Sequence, residues 1–335
     1  MILVDSLHIN NSGGKILLDY LVEQLEKEGF NVFYLFDGRC KNDFYHIPNS
    51  RKLFLKASLI TRFKFYRKNK HKFKTVLCFG NLPPLIRLDA VVYTYFHQKL
   101  FLEIPKEIPI KDKIIYQIKA LVLNLLQKNT DFCIVQTQTM KNSFLKKMPR
   151  IGNGAVLIIP FYPSIKNTCI ESRGEDSFVY VSSGAKYKNH FNLIEAFCSF
   201  YDLKKRGELH LTIGKNFNDL NSVIEIRIKE GYPIINHGYV PRAELGMIYG
   251  KASFLIYPSL SESFGLGIVE AIENGCSIIG ADLPYTYAVC KPSLVFDPND
   301  IGSISDSFKL ALTEEVNSTQ QLVFNEIDNL LALLK

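Results

Sequence analysis

The stretch from Ala252 to Gly280 leaves little freedom in what this chain can fold into. Ala252-Ser-Phe-Leu-Ile-Tyr257 is a short apolar run that reads as a buried parallel strand, and Pro258 breaks the ladder, so Ser259 to Ser263 form a loop at the strand's carboxyl end. Ser263 is placed as a helix N-cap. Phe264 to Asn274 then alternates apolar and small residues at helical spacing until Gly275 stops it. In an open α/β sheet the carboxyl edge of the strands is where ligands sit, so the helix N-terminus points into a ligand crevice.

The unpaired backbone N–H groups and positive dipole end of such a helix suit a phosphate, and Gly265 and Gly267 remove side chains that would keep one away. Glu262 precedes the helix and Glu270 lies about two turns in, a separation on the order of 12 Å for a continuous helical rise. Carboxylates that far apart do not share a proton. They can bracket an elongated ligand, each accepting hydrogen bonds from hydroxyls at one end with a diphosphate between, and a nucleotide sugar has that layout. Either glutamate alone reads as an ordinary helix acid; the pair, with the glycines between, reads as a site.

The run Pro258-Ser-Leu-Ser-Glu262-Ser-Phe264-Gly265-Leu266-Gly-Ile-Val-Glu270-Ala resembles the E-x7-E donor motif of the retaining glycosyltransferase family 4, enzymes of the GT-B architecture. Other matches extend from about Ser12 to Asp300. The resemblance implies an α/β chain of two Rossmann-like domains whose parallel sheets face each other across a cleft. It places the acceptor domain at 1–165, a linker at 166–176, the donor domain at 177–317 and a C-terminal helix at 318–335.

At 335 residues the length suits two such domains, and 47% apolar residues suffice for two cores. No run of 18 apolar residues occurs and the start lacks a charged n-region, so the expected location is cytoplasmic, at most peripheral on the inner face of the cytoplasmic membrane. Seven scattered cysteines without a C-x2-C pair indicate neither disulfides nor zinc. There is no D-x-D triplet, so the expected site is metal-independent and needs no cofactor.

The net charge of +7 is unevenly spread: residues 1–170 carry 26 Lys/Arg against 12 Asp/Glu, the remainder 14 against 21. Between Asp43 and Asp89 there is no acid, while ten cations from Arg51 to Lys74 interleave with Phe54, Phe63, Phe65, Tyr66 and Phe73. Without a nucleic-acid module this stretch, 51–74, is read as a contact for an anionic membrane surface or lipid phosphate, not for nucleic acid. The plainer reading is a solvated basic helix whose aromatics are core.

In chain order, Met1 to His8 is a strand, Asn10 to Gly14 a turn opening a helix to about Glu28, and Asn31 to Phe36 the next strand. Gly13 and Gly14 allow close backbone approach there, the position of the family's glycine-rich loop. Thr75 to Phe79 and Ala90 to Phe96 are further strands, the latter ending at His97, which the resemblance places beside the transferred sugar. Gly184-Ala-Lys186-Tyr-Lys188-Asn-His resembles the family's first phosphate-binding loop, with Lys188 on the donor diphosphate. Many members carry an arginine where this chain has Ser183, and Lys186 in the same loop is a substitute cation. His237-Gly-Tyr239-Val240 resembles the turn whose backbone reads the nucleobase, and Ser318 to Lys335 reads as an amphipathic helix.

The resemblance thus implies a hexosyltransferase moving sugar from a nucleoside-diphosphate donor to a polyprenyl-diphosphate-linked glycan in O-antigen or capsule synthesis. Two other readings are a catalytically silent nucleotide-binding subunit of the same fold and a nucleotide-sugar epimerase.

Overall fold

Buried apolar runs too short for helices become parallel strands, and the amphipathic segments between them become the helices that return the chain. The computed structural model describes residues 1–106, 108–165, 173–313 and 316–335. In the first half the elements are β1 (Ile2–Asp5), α1 (Ser12–Lys27), β2 (Val32–Asp37), β3 (Lys52–Leu55), α2 (Leu59–Lys68), β4 (Thr75–Cys78), β5 (Val91–Tyr95), α3 (Ile110–Leu126), β6 (Phe132–Val135), α4 (Gln138–Lys147) and β7 (Val156–Ile158). In the second they are β8 (Gly174–Tyr180), α5 (His190–Lys204), β9 (Glu208–Leu211), α6 (Asn218–Lys229), β10 (Ile234–Asn236), α7 (Arg242–Lys251), β11 (Ala252–Tyr257), α8 (Leu266–Glu273), β12 (Ser277–Ala281), α9 (Pro284–Val289), β13 (Cys290–Lys291), β14 (Leu294–Phe296), α10 (Ile301–Thr313), β15 (Gln320–Gln321) and α11 (Ile327–Leu334).

The described residues divide into two units, Met1–Ile104 with Pro109–Pro163 and Phe324–Lys335, and Pro105–Ile108 with Ser164–Val323. The first holds a seven-stranded parallel sheet in the order β3-β2-β1-β4-β5-β6-β7. The second holds a six-stranded parallel sheet in the order β10-β9-β8-β11-β12-β14. Both are Rossmann-like α/β folds. Strand order reverses between β1 and β4 in the first and between β8 and β11 in the second, and a doubly wound sheet opens its ligand crevice at such a point.

The first core seats much of the basic stretch. Phe65, Tyr66 and Phe73 pack with Leu3, Val76 and Val92 under the sheet. Arg62, 2% exposed, bonds the Asp5 carboxylate at 2.7 Å and the carbonyls of Pro83 and Leu82, and the Tyr66 hydroxyl donates to the same carboxylate. Phe65, Tyr66 and Phe73 are therefore core, Phe54 and Phe63 are half-buried and Arg62 is an internal strut, which corrects the reading of the whole stretch as a contact surface. Lys56, Lys64, Arg67, Lys68, Lys72 and Lys74 remain exposed.

Helix α3 buries only Ala120 and Leu123, and on the opposite face Ile110, Ile114, Ile118, Leu121 and Leu125 form an exposed stripe, Ile110 at 77%. In the second unit Phe178, Phe197, Phe200 and Phe308 interlock between β8, α5 and α10.

Two boundaries differ from expectation. Of the predicted linker 166–176, residues 166–172 lie outside the described residues, and 174–176 already belong to β8. The predicted helix 318–335 starts only at Ile327, because Gln320–Gln321 pair antiparallel with Cys290–Lys291. Its amphipathic end groups with the first unit, where the Glu326 N–H donates to the Pro160 carbonyl at 2.7 Å.

Candidate active site

At the reversal point of the second sheet, the loop after β8 meets the loop after β11. The Leu260 N–H donates to the Tyr187 carbonyl at 2.8 Å, so backbone fixes their separation. Across this seam the Lys188 ammonium bonds Glu262 Oε1 at 2.5 Å, with side chains 14% and 12% exposed. The Tyr257 hydroxyl donates to the same oxygen at 3.0 Å, and the Tyr180 hydroxyl to the Lys188 carbonyl at 3.0 Å. Burial alone would lower the lysine's pKa; the Glu262 carboxylate outweighs that and raises it, so the ammonium stays charged. The residues predicted to hold diphosphate and sugar are thus brought together as one ion pair.

The helix after this loop starts later than expected. Leu266 is its first residue and Gly265 its cap, in the left-handed region at φ +78°, so Ser263 is not the N-cap. Phe264 is buried. Gly265 is required by its backbone conformation, and at Gly267 a Cβ would meet the Tyr257 ring at 3.2 Å and the Tyr249 hydroxyl at 3.3 Å. Packing and torsion, more than phosphate access, explain the two glycines.

Glu270, 4% exposed, is paired with Arg242 and accepts the Tyr249 hydroxyl at 3.2 Å. Burial raises its pKa against the opposing pull of Arg242 and Tyr249. Arg242 follows the His237–Val240 turn, so this ion pair joins the two predicted ligand segments.

In that turn Tyr239 is 83% exposed and Val240 half-buried. Asn236, which sequence reasoning missed, staples the turn: its Oδ1 accepts the Ile213 N–H at 2.9 Å and the Gly238 N–H at 3.1 Å. Beside it His210 Nδ1 and His237 Nε2 are 3.0 Å apart. Lys186 is exposed at the start of a short 3-10 turn, and Ser183 is exposed as well.

His97, Gly13 and Gly14 belong to the first unit, at its own reversal point. Gly13 and Gly14 lie in the first turn of α1, not in a turn before it. A Cβ at Gly14 would sit 3.0 Å from His97 Nε2, so the glycine is there for the histidine. The His97 backbone N–H donates to Asn81 Oδ1 at 2.7 Å, and the ring packs against the stacked pair Phe79 and Tyr95. Its Nδ1 is buried with no hydrogen-bond partner among the described residues. Burial lowers its pKa to about 4, which makes it a neutral imidazole near pH 7.

The family model describing glycosyl transferases group 1 matches residues 167–326. O-antigen chain mannosyltransferase B of Escherichia coli is 30% identical over 141 residues, which span 41% of this chain and 37% of that protein. Sucrose-phosphate synthase of Thermosynechococcus elongatus superimposes with a TM-score of 0.70 at 17% identity, covering 93% of this chain and 90% of that one. Anabaena HepE, solved in complex with UDP and glucose, gives 0.66 at 12% identity, with 93% and 90% covered. At these identities the solved structures speak for the fold alone. Residues 167–326 are therefore similar to glycosyl transferases group 1, part of the chain resembles an O-antigen mannosyltransferase of which it spans little more than a third, and the fold is that of GT-B structures.

Proposed function

We propose that the protein is a retaining, metal-independent hexosyltransferase of family 4 that moves sugar from a nucleoside-diphosphate donor to a hydroxyl of a lipid-linked glycan. The reading places this step in O-antigen or capsule synthesis at the inner face of the cytoplasmic membrane. The observation that carries it is the Lys188–Glu262 pair at the reversal point of the second sheet. A diphosphate takes the Lys188 ammonium and the amides at the start of α8, which frees Glu262 to accept sugar hydroxyls. Glu270 takes the ribose, and the backbone of Tyr239 and Val240 the base. Lys186 supplies the second cation that Ser183 lacks.

The bond from the anomeric carbon to the diphosphate breaks as the bond to the acceptor oxygen forms on the same face. The departing phosphate accepts the acceptor's proton, and Lys188 meets the charge growing on it. Neutral His97 is the contact to the transferred sugar in this reading. HepE's complex with UDP and glucose supports the donor class, and the Escherichia coli mannosyltransferase the polysaccharide context. The α3 stripe, with Lys111 and Lys119 exposed on the same helix, supports a membrane-surface partner.

The test is transfer from a panel of labelled nucleotide sugars to polyprenyl-diphosphate glycans, with the product anomer read by NMR. Product with the donor's anomeric configuration is expected. An inverted product contradicts the mechanism, and no transfer together with selective nucleotide binding points to a silent subunit.

A further inference from the structure

Outside the residues discussed above, the first unit contains a cavity of about 690 Å3 at the carboxyl ends of β1, β2 and β3. Its walls are the loops after those strands, held close enough that a Cβ on Gly38 would lie 3.2 Å from the Leu55 carbonyl oxygen. His8 lines it in the left-handed backbone region at φ +84°, a strained conformation for a residue with a side chain. His8 Nε2 is buried without a hydrogen-bond partner among the described residues, an arrangement that costs free energy until something bonds it.

Charge at the cavity is unbalanced. The single acid in its lining, Asp37, is spent on internal bonds: it accepts from the His8 and Arg39 N–H groups and pairs bidentately with the Arg39 guanidinium. Lys41 and Lys56 also line the cavity, are exposed, and have no acidic partner among the described residues. Phe54 and Leu55 supply an apolar wall between them.

We infer that this cavity is the subsite for a phosphate group of the acceptor. Lys41 and Lys56 neutralise the phosphate, the His8 ring borders it, and Phe54 and Leu55 cover the adjoining apolar part of the molecule. The inference rests on the reading that the first unit takes the acceptor. A polyprenyl-linked diphosphate and a soluble sugar phosphate present the same group, so the probes must separate them.

The experiment uses the full-length chain and follows the His8 imidazole by NMR, assigned with His8→Asn, which tolerates the left-handed backbone. Glucose 1-phosphate is the soluble probe and farnesyl diphosphate in neutral micelles the lipid probe. A saturable His8 shift is expected, with affinity falling about tenfold or more in Lys41→Gln/Lys56→Gln and weakening with salt. Tighter binding of farnesyl diphosphate assigns the lipid-linked source, and tighter glucose 1-phosphate the soluble one. An unmoved His8 signal, or unchanged affinity in the double variant, overturns the subsite. Nucleoside diphosphates titrated in parallel report on the other unit: failure there with a His8 response intact rejects the donor reading and leaves this one standing.

Discussion

The two units share a fold and use charge in opposite ways at their strand ends. In the second, each predicted carboxylate already has a cation: Glu262 holds Lys188 and Glu270 holds Arg242. In the first, the strand-end carboxylates Asp5 and Asp37 are spent on Arg62 and Arg39, and beside them stand groups left unspent: Lys41, Lys56 and the orphaned imidazole nitrogens of His8 and His97. A site built of matched pairs is preorganised for one ligand that exchanges partners with it. Unspent cations over an apolar wall suit ligands of varied shape that share an anionic group. The same contrast separates a +14 half from a −7 half in the sequence, which is why the net charge alone says little about either.

The sharpest break removes the strut. Arg62→Met leaves Asp5 buried and unpaired, and should cost about 3–5 kcal/mol of stability, read by urea unfolding of the first unit. Lys64→Gln and Lys68→Gln on the same exposed helix should change nothing measurable. Comparable loss in all three would return Arg62 to the surface stretch.

In the second unit the Lys188–Glu262 pair has a proposed role in transfer. Lys188→Ala and Glu262→Ala should each lower transfer by roughly 10²–10³-fold with the fold retained. The double variant should lose little more, since either partner alone breaks the pair. Strictly additive losses contradict a shared role.

The buried histidines give each unit an acid signature. His97 is depressed to about 4 and His190 to about 3, in both cases by burial first. Between the ordinary histidine value near 6.5 and those values the unfolded chain binds a proton that the folded chain does not, so stability is complete above pH 6.5 and is lost as pH falls. The slope is up to about 1.4 kcal/mol per pH unit for each histidine. His97→Gln should reduce the slope of the first unit, where burial also depresses His8, and leave that of the second. A slope that both units keep would place the titration elsewhere.

The smallest expected effect on stability is at α3. Ile114→Asn with Ile118→Asn should move stability by under about 0.5 kcal/mol. The same variant should reduce retention on vesicles of anionic lipid, measured by sedimentation. Unchanged retention removes α3 from the membrane reading.

Much of the fold was legible because parallel strands buried on both faces leave short, continuous apolar runs such as Phe254–Tyr257 and Val76–Cys78. β3 was missed because Lys52-Leu-Phe-Leu sits at the sheet's edge among basic residues, where its alternation is masked by the charges around it. The cap of α8 was misplaced because a serine offers a side-chain cap from sequence alone, whereas Gly265 caps through a torsion visible only in three dimensions. Both glutamates of the donor motif were found from spacing. The ion pairs they form were not: Lys188 was singled out from its own loop, but it lies 74 residues from Glu262 and only the strand order brings them together. His8 left no sequence signal at all, since a strained backbone and an orphaned nitrogen are properties of the fold.

One calorimetric series tests the division of labour between the units most directly: nucleoside diphosphates titrated into the native chain, Lys188→Ala, and Lys41→Gln/Lys56→Gln at low salt. Selective binding of one nucleoside diphosphate is expected, lost in Lys188→Ala and unchanged in the double lysine variant. Binding that survives Lys188→Ala, or that disappears with Lys41 and Lys56, contradicts a donor site in the second unit.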